Sequence, residues 1–116
     1  MAEKLRFIYK ATWTTCRKAR SFLQANKIDF EEREYSKSPF SEKELREIIG
    51  DGPIENFLNT RTPLYREKDM KQKPPSKDEA VRLMLKDANL LKRPVFIKGK
   101  KKLTGFNESQ IKELLK

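Results

Sequence analysis

The sequence predicts an α/β fold: a four-stranded mixed sheet built in the order β-α-β, a helical block, then β-β-α. Three observations carry that prediction. An apolar run at Leu5–Tyr9 is followed by a stretch with helical spacing and then by a second extended stretch at Ile28–Tyr35. Two capping boxes, Ser41 with Glu44 and Ser76 with Glu79, open helices in the middle of the chain. Two short extended runs separated by Gly99 precede a final amphipathic segment. The 116 residues fit a single domain, 1–116, with a helical insertion at about 36–92.

Each element has a local reason. Leu5, Phe7, Ile8 and Tyr9 suit a central strand. Ala11–Thr15 is small and polar apart from Trp13. From Cys16, the apolar positions Ala19, Phe22 and Leu23 fall on one helical face, with Arg17, Arg20 and Gln24 on the other. Asn26 and Lys27 end that helix. The second strand is more polar and is expected near an edge. A strand, a helix and a strand joined this closely imply parallel pairing through a right-handed crossover. The Ser41 helix turns Leu45, Ile48 and Ile49 inward, and Gly50 stops it. Pro53 suits the first turn of another short helix with Ile54, Phe57 and Leu58 inward. Asn59–Pro63 breaks regularity, and Arg66–Pro75 reads as an exposed connection. The Ser76 helix carries Ala80, Val81, Leu83, Met84, Leu85 and Ala88, a wide face expected to be well buried. Val95–Ile97 and Lys102–Thr104 form a hairpin. Gly105 turns the chain, Asn107 caps, and Ile111, Leu114 and Leu115 form the last helix face.

Charge and composition narrow the function. The net charge is +10. Residues 1–50 hold eleven Lys/Arg against eight Asp/Glu, and residues 51–116 hold sixteen against nine, so the excess lies in the second half. Such a surface favours anionic partners. A single cysteine cannot form an internal disulfide, and with no histidine there is no Cys–His pair and no expected metal site. No apolar run approaches a membrane span, and Met1–Lys4 lacks a signal peptide's apolar core. A cytoplasmic protein with a reduced thiol is expected. Aromatics do not interleave with basic residues as single-strand binders require, so direct nucleic-acid binding is not expected. Lys98 and Lys100–Lys102 read as a charge-protected turn, with phosphate contact as the alternative.

The chemistry-bearing stretch is Trp13-Thr14-Thr15-Cys16-Arg17-Lys18-Ala19-Arg20. A thiol among cations near a helix start is where thiolate chemistry is easiest. Together with Asn59-Thr-Arg61, Tyr65-Arg66, Leu91-Lys-Arg-Pro94 and Thr104-Gly-Phe106, it resembles the arsenate reductase/Spx family of thioredoxin-like proteins over nearly the whole chain. The resemblance implies a thioredoxin-like core with a helical insertion and a cis peptide at Arg93–Pro94 facing the first helix. It implies also that active relatives place a nucleophilic cysteine at the helix start. Where Spx-type members have Cys-x-x-Cys, this chain reads Trp13-Thr-Thr-Cys16, so Cys16 falls on the second cysteine. Arsenate reductases surround their oxyanion with three arginines. Arg93 matches one, Asn59 stands at the second with Arg61 two residues on, and Gly105 stands at the third.

Two functions follow. One is a thiol-dependent oxidoreductase, catalytically degenerate, drawing electrons from glutathione or a glutaredoxin-type reductant with no bound cofactor. Cys16 is its candidate thiol, and Trp13, Thr14, Thr15, Arg17, Arg20, Arg61, Arg93 and Pro94 are its candidate anion-binding or groove residues. The other is a non-catalytic regulator of Spx type that binds RNA polymerase. Physical chemistry leaves Cys16 two roles. It shares a helical stripe with Ala19 and Leu23 and lies inside the first turn, where helix-dipole stabilisation fades. A small, inert core residue is one reading; a functional thiol is the other. Trp13 likewise either covers the core edge or lines the groove.

Overall fold

The computed structural model describes residues 4–116, and the first three residues of the N-terminal stretch lie outside it. The described residues divide into two compact units, one running up to Ser38 and resuming over Arg93–Lys116, the other Pro39–Lys92.

The first unit holds a four-stranded sheet in the order β2-β1-β3-β4. Strands β1 (Leu5–Tyr9) and β2 (Phe30–Glu34) pair in parallel, with Leu5 opposite Phe30 and Tyr9 opposite Glu34. Strand β3 (Val95–Lys98) runs antiparallel to β1, and β4 (Lys101–Thr104) antiparallel to β3. The connection between β1 and β2 is helix α1 (Thr14–Ala25); α5 (Glu108–Leu114) closes the unit. Alternation along β1 sends Leu5, Phe7 and Tyr9 to one face. There they pack with Phe96, with Cys16, Ala19 and Leu23 of α1, and with Ile111 and Leu114 of α5. Phe7 stacks on Tyr9 and Phe96 at centroid distances of 4.4 and 5.3 Å and meets Phe30 edge-on at 5.8 Å. Burying each such ring contributes roughly 1.5–3 kcal/mol. Strand β2 is the polar edge strand its composition implies, with Glu31 and Glu32 exposed.

The second unit is built from α2 (Glu42–Ile49), a 3₁₀ turn at Ile54–Phe57, α3 (Pro63–Glu67), α4 (Lys77–Lys86) and a 3₁₀ turn at Ala88–Leu90. The hydroxyls of Ser41 and Ser76 each accept from the amide three residues on, at 3.1 Å. Arg46 bridges Glu42 and Asp78, and the Lys77 ammonium donates to the Gly50 carbonyl, tying α2 to α4.

Four expectations change in this unit. Helix α3 interrupts the stretch expected to be irregular: Thr62 accepts from the Tyr65 amide at 3.1 Å and Pro63 occupies the first helical turn. Met70, in the connection expected to be exposed, is buried. Helix α4 buries Ala80, Val81 and Met84, while Leu85 is 42% exposed, so the apolar stripe is narrower than composition suggests. Pro53 caps a 3₁₀ turn from outside rather than opening an α-helix. In the first unit, Gly105 turns the chain at φ 83, and its amide donates to the Pro94 carbonyl at 2.8 Å.

Candidate functional site

The site is assembled where β1 gives way to α1. The Trp13 amide donates to the Lys10 carbonyl at 3.1 Å, which folds the short loop back on itself. Trp13 is the N-cap residue of α1, with extended backbone and no side-chain cap bond. An indole N–H donates and cannot accept, so it satisfies none of the orphan amides of the first turn. Its ring goes elsewhere. The Arg93 guanidinium carbon lies 3.6 Å from the Trp13 ring centroid. This is well within cation–π range. Trp13 is 39% exposed and Arg93 only 7% exposed, so the ring forms the outer layer and the guanidinium the inner one.

Arg93 stands immediately before β3, and its peptide bond to Pro94 is cis, as the resemblance implies. Its Nη1 donates to the Tyr35 hydroxyl at 3.2 Å. Tyr35 follows β2 and is held by its own amide, which donates to the Tyr9 carbonyl at 3.1 Å. Burial pushes the Tyr35 hydroxyl up to about 12, with the Arg93 charge pulling the other way. Sequence reasoning used Tyr35 only to end a strand. An aromatic closing the charged run Glu31-Glu-Arg-Glu34 was the available signal for a buried partner.

Cys16 is the third residue of α1, fully buried, within the sheet-facing cluster. Burial pushes its thiol up; a hydrogen bond with the Lys10 backbone and the nearby Arg93 charge pull it back, and Glu34 adds to the upward push. The net direction is upward. A buried thiol raised in this way stays protonated near neutral pH. Burial also pushes Glu34 up, but bonds from the Ala11 amide at 2.5 Å and from the Ser36 hydroxyl at 2.6 Å outweigh it and keep the carboxyl low.

The other candidates divide. Pro94 is buried beside Arg93, whereas Thr14, Thr15 and Arg17 are exposed on the first turns of α1. Arg20 is taken by Glu32 at 2.5 Å, a carboxylate that also accepts from the Tyr9 hydroxyl at 3.1 Å. Arg61 belongs to the second unit, is exposed, and its amide donates to the Asn59 side chain at 3.1 Å. Trp13, Cys16, Arg93 and Pro94 thus come together, joined by Tyr35. Among the described residues, no group of three or more His, Cys, Asp or Glu side chains could hold a metal ion. Nor is any described helix long and apolar enough to cross a membrane.

Residues 9–114 match the model of the ArsC family. The chain belongs to the ArsC family. The global transcriptional regulator Spx of Streptococcus pyogenes serotype M3 is 33% identical over 104 residues, covering 88% of this chain and 78% of the regulator. A Staphylococcus aureus COL protein solved in solution is 33% identical, covers 97% of this chain and 99% of its own, and superposes with a TM-score of 0.77. A Streptococcus mutans UA159 structure, described as that of a possible arsenate reductase, is 28% identical, covers 90% of this chain and 92% of its own, and gives a TM-score of 0.71. The thioredoxin-like mixed sheet of this ArsC member is the fold the sequence predicts.

Proposed function

We propose that this protein is a catalytically silent ArsC-family member that works by binding, as a transcriptional regulator of Spx type whose partner is RNA polymerase. One observation carries the reading: the position that resemblance aligns with a leading cysteine holds Trp13, and its ring lies over Arg93. The ring covers one face of the guanidinium, and the Nε and Nη2 edge that would bind an oxyanion is buried away from solvent. The remaining thiol is buried, and its acidity is weakened by that burial. The 33% identity to a global transcriptional regulator over 88% of the chain supports the same reading. Trp13, Arg93, Pro94 and Tyr35 then serve as structure at a retired site, and the basic surface supplies the contacts. Residues of about 36–92 are read as the helical insertion of one domain, and the cytoplasm as the compartment, where the lone thiol stays reduced.

The direct test is retention of RNA polymerase subunits by the immobilised protein at moderate salt. Retention that falls as salt rises is expected of a +10 protein. No retention even at low salt would sink the regulator. A second reading, a glutathione- or glutaredoxin-linked thiol oxidoreductase, draws on the Arg93 charge that pulls the Cys16 thiol down. It requires Cys16 to alkylate near neutral pH faster than a free thiol. A slow thiol removes that reading and leaves the first standing.

A further inference from the structure

The C-terminal hairpin and α5 form a second feature in the first unit, remote in sequence from the α1 start. Residues 98–116 carry six lysines and no arginine, against Glu108 and Glu113. Lys98 and Lys101 are cross-strand partners at the end of the β3–β4 ladder. Like charges placed directly opposite one another disfavour the pairing. Their ammonium groups nevertheless converge on the end of α5: Lys98 Nζ donates to the Leu115 carbonyl at 3.3 Å and Lys101 Nζ to the Lys116 carbonyl at 3.5 Å. Cations at a helix C-terminus complement its orphan carbonyls. Between them opens a surface cavity of about 200 Å³, lined by Lys98, Gly99, Lys101, Leu114 and Lys116. Glu113 lies beside it and pairs with Lys116 at 3.0 Å. Leu114 is only 7% exposed, so its edge together with the lysine stems makes the apolar floor of the cavity beneath a cationic rim.

We infer that this cavity is a docking site for an acidic, extended peptide segment of a partner protein carrying an apolar anchor side chain. The floor takes the anchor, and the rim takes flanking carboxylates. The chemistry favours this occupant over a phosphate backbone. Phosphate recognition is served best by arginine's planar fork, and the surface has none. Single-stranded nucleic acid needs exposed stacking rings, and none of the lining residues is aromatic. An inorganic anion would leave the apolar floor unused. A central anchor in a pocket, ringed by contacts that exclude water, is the usual arrangement of a binding hot spot.

The test is fluorescence anisotropy with a labelled peptide of alternating Asp and Leu, with polyaspartate, duplex DNA and inorganic phosphate as competitors. The Asp/Leu peptide should bind more tightly than polyaspartate, with affinity falling as salt rises. Lys98→Ala with Lys101→Ala should weaken it roughly tenfold, since each exposed ion pair contributes a few-fold. Lys18→Ala with Lys43→Ala removes the same charge elsewhere and should change affinity by no more than about twofold. Amide shifts on titration should be confined to Lys98–Lys102 and Leu114–Lys116. Four results would each overturn the inference. They are equal binding of polyaspartate, equal losses in the two double variants, tighter binding of DNA or phosphate, or shifts centred elsewhere.

Discussion

Replacing Trp13 and Arg93 singly and together tests whether the stack is an interaction or a coincidence of packing. The guanidinium carbon is 3.6 Å from the ring centroid, with Arg93 7% and Trp13 39% exposed. Cation–π pairs contribute about 0.5–1 kcal/mol at exposed sites and about 2 when desolvated. One buried partner and one half-covered ring place this pair between those limits, at about 1–1.5 kcal/mol of coupling. The cycle uses Trp13→Ala, Arg93→Met and the double variant, with urea unfolding followed by far-UV circular dichroism at pH 7. Arg93→Met keeps the stem and removes the charge, so its own cost includes the lost bond to Tyr35, which the cycle subtracts. Trp13→Phe should retain part of the coupling, because its ring quadrupole is weaker, and Trp13→Leu none. For a chain of this size each kcal/mol moves Tm by roughly 4 °C, so the Trp13→Ala loss is also visible on heating. Coupling below about 0.3 kcal/mol, the ordinary error of additivity, would refute the reasoning.

Further outcomes follow from the same geometry. Stability should decline as pH rises above about 8.5, where the unfolded chain releases its thiol proton while folded Cys16, its pKa raised by burial, retains it. Cys16→Ala should remove that part of the slope and leave the later loss from Tyr35, which titrates at about 12 when folded; an unchanged slope in Cys16→Ala would contradict the assignment. Ser76→Ala should cost about 1 kcal/mol by freeing the Glu79 amide, and Ser76→Asp should preserve most of it, both read from urea midpoints. Phe96→Ala should cost about 3–5 kcal/mol, because the ring is fully buried and stacked on Phe7; a loss under 1 kcal/mol would mean the core relaxes around the cavity.

How much the sequence disclosed depended on whether a signal was local. The strands and α1, α2, α4 and α5 were legible because periodicity and capping residues act within a turn or two. Ser41, Ser76 and Asn107 each accept from the amide three residues on, as their sequence positions imply. Helix α3 escaped because it is only five residues long, too short for periodicity, although Thr62-Pro63 is itself a helix-start signal. Leu85 was misjudged because composition counts apolar residues without fixing the width of the buried stripe. At the site, register placed Trp13 at the helix start and Cys16 inside it. Contacts between residues distant in sequence, such as Arg93 with Tyr35, leave no periodic trace.

Gly105 bears on how this chain could change. Resemblance puts it where arsenate reductases carry an arginine, and its φ of 83 is a conformation that a residue bearing a Cβ adopts at a cost of about 1–2 kcal/mol. Its amide is also tied to the carbonyl of Pro94, next to Arg93. An arginine introduced at this point would lose stability at the first mutational step and would disturb the backbone beside the one matching arginine that remains. A three-arginine arrangement would therefore be reached only through a less stable variant. If the protein works by binding, as proposed, its departure from anion chemistry is held in the main chain at Gly105 as well as in the side chains.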